Sequence, residues 1–123
     1  NSQCPQVYAD AILAARTRGV ISIVAAGNFN TLASSPSTCP GAVAVSATDL
    51  VDQKAPYSNF GPLIDVAAPG GDSSADRNGD GYGDGVLSTD YDDSAGPRQP
   101  VYQFKNGTSM AAPHVAGVAA LMK

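Results

Sequence analysis

Hydrophobic spacing divides the chain into a short series of elements. From Pro5 to Arg18 the apolar residues Val7, Ala11, Ile12 and Ala15 recur at helical spacing and share one face. Arginines close this segment and Gly19 follows, the residue expected just past a helix C-terminus. Val20-Ile21-Ser22-Ile23-Val24-Ala25-Ala26 is almost wholly apolar and β-branched. Such a run predicts a strand buried on both faces, as in a parallel sheet covered by helices. Gly41 to Ala47, with its core Ala42-Val43-Ala44-Val45, predicts a second strand of this kind. Leu63 to Ala67 predicts a third, stopped by Pro69-Gly70-Gly71. Val86-Leu87-Ser88 and Val101 to Phe104 are weaker strand candidates separated by a polar loop.

The last segment, Thr108 to Met122, is rich in alanine and valine and predicts a second helix. Pro113 is placed in its first turns, where a missing N–H costs least. Gly117 lowers helix propensity but allows a close neighbour. A helix that is apolar all round predicts burial inside a domain. Helix, strand, strand and buried helix together predict an α/β fold with parallel strands. No internal repeat and no interdomain linker interrupts the pattern.

Composition narrows the class of protein. The 123 residues allow one domain with a hydrophobic core, and 43% apolar with 15% charged residues is a globular balance. Glycine and proline number 13 and 9, so tight turns are frequent. No apolar run reaches the roughly 18 residues of a membrane helix, so no membrane partner is expected. The chain opens on Asn1-Ser2-Gln3-Cys4 without a basic, signal-like start, which leaves secretion open. The net charge is −4 and all 11 acidic residues are aspartates, seven of them between Asp72 and Asp93. No basic stripe exists to neutralise phosphates, so nucleic acid is not an expected partner. Cys4 and Cys39 fit no CxxC pattern. They read either as two unpaired thiols or as a disulfide closing a loop of about 36 residues.

Two constellations carry candidate chemistry. Asn106-Gly107-Thr108-Ser109-Met110 opens the last helix. A serine there sits where unpaired N–H groups and the helix dipole favour negative charge. An attacking serine creates an oxyanion beside its own N–H, and Gly107, Ala111 and Ala112 are small enough to admit a substrate backbone. Taken alone, the same residues read as an ordinary Ser or Thr cap. Ala25-Ala26-Gly27-Asn28 ends the most apolar strand, and ligand sites gather beyond the carboxyl ends of parallel strands. The asparagine offers an N–H₂ donor suited to an oxyanion, although a turn asparagine is the commoner use.

Gly107-Thr108-Ser109-Met110-Ala111-Ala112-Pro113-His114-Val115-Ala116-Gly117 resembles the nucleophile motif of the subtilisin family of serine peptidases. Ala25-Ala26-Gly27-Asn28 resembles that family's oxyanion-hole segment. Tyr57-Ser58-Asn59-Phe60-Gly61 and Val66-Ala67-Ala68-Pro69-Gly70 also match family segments, in the family's order. The resemblance covers nearly the whole chain except the stretch after Gly71. It implies a three-layer α/β fold with a mostly parallel sheet, represented here by its C-terminal half. Ser109 is then implied as the acyl-forming nucleophile, with the Asn28 side chain and the Ser109 N–H as oxyanion donors. Ala25, Ala26 and Gly27 are implied to line the pocket for the residue before the scissile bond. A secreted endopeptidase made as a zymogen is implied, acting on protein or peptide substrates. That extracellular setting favours the disulfide between Cys4 and Cys39.

In this family the triad runs Asp, His, Ser, with the first two upstream. The single histidine here, His114, lies five residues after Ser109 within the helical motif. Positions five apart on a helix do not share a face, so His114 is read as structural rather than as the base. No aspartate here matches the family's triad acid. The missing N-terminal part of the catalytic domain is therefore an expected partner, and this chain alone is expected to be inactive. A pseudopeptidase, or a calcium-stabilised binding module without turnover, is the competing expectation.

The aspartate-rich stretch carries its own pattern. Asp76, Asn78, Asp80 and Asp84 stand at positions 1, 3, 5 and 9 of an EF-hand-like loop, with Gly81 at 6 and the Tyr82 carbonyl at 7. Position 12 is Leu87, so Asp90, Asp92, Asp93 or water would complete a calcium shell. A solvated acidic loop is the other reading. Asn106-Gly107-Thr108 is also an N-glycosylation sequon, read as coincidental because a glycan there would block the nucleophile.

Overall fold

A computed structural model describes residues 4–94, 96 and 98–122. Helix α1 runs Gln6–Arg16, shorter at both ends than the apolar spacing predicts. It ends where the N–H of Gly19 bonds to Arg16 O (3.0 Å) and that of Val20 to Ala15 O (3.1 Å). These bonds satisfy carbonyls that a helix end leaves open. Strands β1 (Ser22–Ala25), β2 (Ala42–Thr48) and β3 (Val66–Pro69) form a parallel sheet in the order β1-β2-β3. Their register pairs Ser22 with Ala42 and Val45 with Val66.

The central strand carries the core. Ala44, Val45 and Ala47 of β2 are fully buried, and Ala55, Ala68 and Ala111 join them. The first strand is a partial correction. Val20 and Ile21 lie outside it and are exposed, and all of β1 is only half-buried. The reason is position: β1 is an edge of this sheet, so an apolar run is covered on one flank only. The third strand also shifts towards the C-terminus. Ile64 N–H turns back to Gly61 O (3.2 Å), which holds Leu63 in a bend, and pairing begins at Val66.

The two weaker strand candidates are longer than predicted. β4 (Val86–Asp92) and β5 (Gln99–Lys105) form an antiparallel hairpin separate from the parallel sheet, with Val86 opposite Lys105. Lys105 pairs with Asp90 across it, and its bond to the Asp90 carboxylate is the main influence lowering the pKa of that group. Cys4 and Cys39 form a disulfide with their Cα atoms 5.0 Å apart.

Helix α2 (Thr108–Leu121) packs against all three strands of the sheet. Its expected full burial is corrected. Thr108 and Ala111 are buried, but Val118, Leu121 and Met122 are exposed. One side of an all-round apolar helix meets the sheet, and the rest has no cover among the described residues. Pro113 is the sixth helical residue, within the first two turns as the spacing predicts, and it has no N–H to offer the carbonyl of Ser109.

Candidate active site

The parallel strands bring two distant segments together. Beyond the C-terminal end of β1 the chain runs Ala26-Gly27-Asn28, and beside it α2 begins at Thr108. The N–H of Thr108 donates to Asn28 Oδ1 at 2.8 Å, and the Thr108 hydroxyl donates to the same oxygen at 2.8 Å. That hydroxyl also accepts the Gly27 N–H at 3.1 Å. Thr108 is only 1% exposed, so these bonds form away from competing water.

The consequence lies in which end of the Asn28 amide is used. Its acceptor oxygen is held by two donors on Thr108, which fixes the amide orientation by hydrogen bonding. The Nδ2 donor is left without a protein acceptor among the described residues. Ser109 follows directly, exposed, in the first turn of α2. Its N–H belongs to the group that no carbonyl four residues back can satisfy within the helix. An exposed hydroxyl thus lies next to two uncommitted N–H donors at a helix N-terminus. Such a place favours negative charge on a bound oxygen.

The predicted pocket segment follows the same path. Ala25 ends β1, Ala26 is buried with its N–H on Val45 O (2.9 Å), and Gly27 bonds to Thr108. Ser109, Met110, Pro113 and His114 line one side of a shallow hollow whose other side is the start of β4. His114 shares that hollow, yet its Nδ1 sits 2.8 Å from Met110 O. A carbonyl only accepts, so this nitrogen carries the proton and serves the helix itself. No hydrogen bond joins His114 to Ser109 among the described residues, in keeping with their five-residue separation.

The aspartate loop is ordered by its own backbone. Asp76 accepts the N–H groups of Gly79 (2.8 Å), Asp80 (3.2 Å) and Gly81 (3.0 Å). Asp80 accepts from Tyr82 N–H (2.8 Å) and from the Asn78 amide (2.9 Å), and Asp84 accepts from Arg77 N–H (2.8 Å). The Tyr82 ring stacks on Phe104 of β5 at 5.7 Å. An all-oxygen donor set suits a hard cation in its chemistry. In this arrangement the carboxylates turn onto loop amides. No group of three or more His, Cys, Asp or Glu side chains is placed to hold a metal among the described residues.

Sequence reasoning gives Tyr57 and Asn59 no role and gives Thr108 only that of a cap. Thr108 read as a cap, because its partner lies 80 positions away. The Tyr57–Gly61 segment was visible as a family-like string, but its contacts were not.

Comparison with known proteins places the chain in a family. The subtilase family profile matches residues 1–123, and the chain belongs to that family. An extracellular protease of Xanthomonas campestris is 42% identical over 122 residues, covering 98% of this chain and 19% of its own length. An extracellular basic protease of Dichelobacter nodosus is 42% identical over 106 residues, covering 85% of this chain and 15% of its own length. Among solved structures, a protease from Pseudoalteromonas arctica superposes with a TM-score of 0.88 at 44% identity, over 99% of this chain and 35% of that one. A lanthipeptide protease gives 0.74 at 31% identity, over 94% and 39%. The α/β fold is therefore subtilisin-like, and the chain spans about a fifth of the length of the curated relatives it matches.

Proposed function

We infer that the chain supplies the nucleophile and oxyanion hole of a serine endopeptidase that cleaves protein or peptide substrates. Ser109 Oγ attacks the scissile carbonyl carbon, and its proton passes to a general base. The carbonyl oxygen becomes an oxyanion held by Asn28 Nδ2 and the Ser109 N–H. Collapse breaks the C–N bond, and the leaving amine takes the proton from the base. Water then attacks the Ser109 ester, releasing the acid and restoring the hydroxyl. Ala25, Ala26 and Gly27 line the pocket for the residue before the scissile bond.

The observation that supports this reading most is the Asn28 amide, pinned through Oδ1 by Thr108 so that its donor end is free beside Ser109. The base has no counterpart among the described residues, where the single histidine, His114, is bonded to its own helix, and no aspartate matches the family's triad acid. Residues 1–123 thus form the later portion of one catalytic domain, whose His and Asp come from an upstream segment. The extracellular names of relatives and the Cys4–Cys39 disulfide support a secreted enzyme, and its making as a zymogen is part of the same reading. Calcium at Asp76, Asn78, Asp80, the Tyr82 carbonyl and Asp84 is part of the same reading, supported by the spacing of oxygen donors.

Labelling with an organophosphonate that reports activated serines tests the reaction. An adduct on Ser109 with the upstream segment present, and little without it, is the expected result. A complete domain that leaves Ser109 unlabelled would rule out the peptidase.

A further inference from the structure

Between β2 and β3 lies Tyr57-Ser58-Asn59, a segment that touches no reacting atom in the scheme above. Asn59 is 2% exposed, and buried polar groups need partners. Its Nδ2 donates to Ala26 O (2.9 Å), and its backbone N–H donates to Gly27 O (2.9 Å). Its Oδ1 accepts the N–H groups of Phe29 (2.9 Å) and Thr31 (3.2 Å). These partners stand on both sides of Asn28. The fit is close: at Gly27, where φ is +104°, a Cβ would fall 2.5 Å from Asn59 Nδ2. The loop that carries Asn28 is shaped around the Asn59 side chain.

Two residues earlier, Tyr57 reaches the other strand end. Its hydroxyl lies 2.9 Å from Gly70 O and 2.7 Å from Gly71 O, and its one proton serves either carbonyl. Gly70 O also accepts the N–H of Gly107, the residue that precedes Thr108 and Ser109, at 2.9 Å. Space is absent here as well, since a Cβ on Gly70 would fall 2.8 Å from Gly107 O and 3.0 Å from the Tyr57 hydroxyl. Ser58 anchors the segment between them. Its hydroxyl accepts the Ala47 N–H of β2 at 2.8 Å and donates to Asn59 O at 3.1 Å.

We propose that Asn59 and Tyr57 are positioning residues for the oxyanion hole. Asn59 fixes the loop that presents the Asn28 amide, and Tyr57 fixes the turn that presents the Ser109 N–H. The proposal rests on the oxyanion reading of Asn28 and Ser109. Its physical basis is tolerance: donors must lie within hydrogen-bond reach of the developing oxyanion, and a misplacement of about 1 Å costs up to ~10²-fold. One three-residue post seated on the central strand sets both donors against each other.

Kinetics on the complete catalytic domain, normalised to titrated active sites, test this. Asn59→Ala, Asn59→Ser and Tyr57→Phe are each expected to lower kcat roughly 10-fold with KM changed less than about 2-fold. Affinity for a peptide aldehyde, whose hemiacetal oxygen occupies the hole, falls in parallel, while affinity for the matching peptide alcohol stays constant. In an Asn28→Ala background the kcat penalty of Asn59→Ala shrinks to less than about 3-fold, because its target is gone. A purely structural role predicts lower melting temperature with unchanged kcat per active site, and that result overturns the proposal. Retention of the full Asn59→Ala loss in the Asn28→Ala background also overturns it. Should Asn59→Ala fail to fold, Tyr57→Phe removes one hydroxyl, keeps the ring, and decides the same question. If Asn28→Ala alone leaves kcat and aldehyde affinity unchanged, the oxyanion reading itself fails and takes the proposal with it.

Discussion

At the residue scale, the chemistry depends on which atoms are already occupied. Asn28 is exposed, yet Thr108 takes its oxygen and leaves its N–H₂. Replacing Asn28 by Ala in the complete enzyme is expected to lower kcat by about 10²–10³ with little change in KM, the range by which losing one such side-chain donor slows a subtilisin. Acylation rates on a peptide ester check it. Tyr57 makes a second, pH-dependent prediction. Burial is the main cause raising its pKa, opposed by the nearby Gly107 backbone and reinforced by the Asp72 charge. A raised pKa stabilises the fold fully below the unfolded tyrosine value of about 10, and that stability is lost as pH climbs through the folded value. Urea titrations across the alkaline range are expected to show this loss in the native protein and not in Tyr57→Phe.

At the scale of elements, the aspartate loop is tied to the sheet by a specific pair. The Arg77 guanidinium meets Asp49 at 3.1 Å, and the Asp49 side chain is 2% exposed while that of Arg77 is 43% exposed. Asp49 Oδ1 also accepts the N–H groups of Val51 (3.0 Å) and Gln53 (2.9 Å) in the turn after β2. Asp49→Ala therefore orphans two N–H groups and is expected to cost about 2–4 kcal/mol, against about 1–2 for Arg77→Ala. Chemical denaturation of both variants gives the order, and an equal cost would contradict it. If the loop takes calcium, Asp80→Ala lowers the melting temperature only when calcium is present. An equal loss in chelator would sink the calcium reading. The loop was legible as acidic and turn-rich, because aspartate and glycine spacing is local information. Its attachment through Arg77 and Tyr82 was not, since neither partner is near in sequence.

Over the whole molecule, stability has two sources that are easy to separate. The core is small-residue and narrow, built on β2 with Ala68 and Ala111 against it. The Cys4–Cys39 bridge spans 35 positions, and closing such a loop stabilises by up to about 4 kcal/mol in the chain-entropy account. The Cys4→Ser, Cys39→Ser double variant is expected to lose most of that in urea denaturation. Phe29, Leu121 and Met122 are each more than four-fifths exposed. Apolar surface of that kind drives association. The isolated 123-residue chain is therefore expected to self-associate in sedimentation.

The amino-acid sequence by itself determined the elements and their order. A parallel sheet and a helix at each end follow from spacing and turn residues, whereas the candidate site residues follow from the resemblance of a long motif to a known family. The same local rules overstated burial for β1 and α2, because burial depends on what covers a face rather than on the face. Only the tertiary structure decided how Asn28 points, since that is set by Thr108 across 80 positions. It alone brought Asn59 to the loop that carries Asn28, and Tyr57 to the turn that meets Gly107. Hydrogen bonds have direction and reach, and neither property is carried by sequence distance.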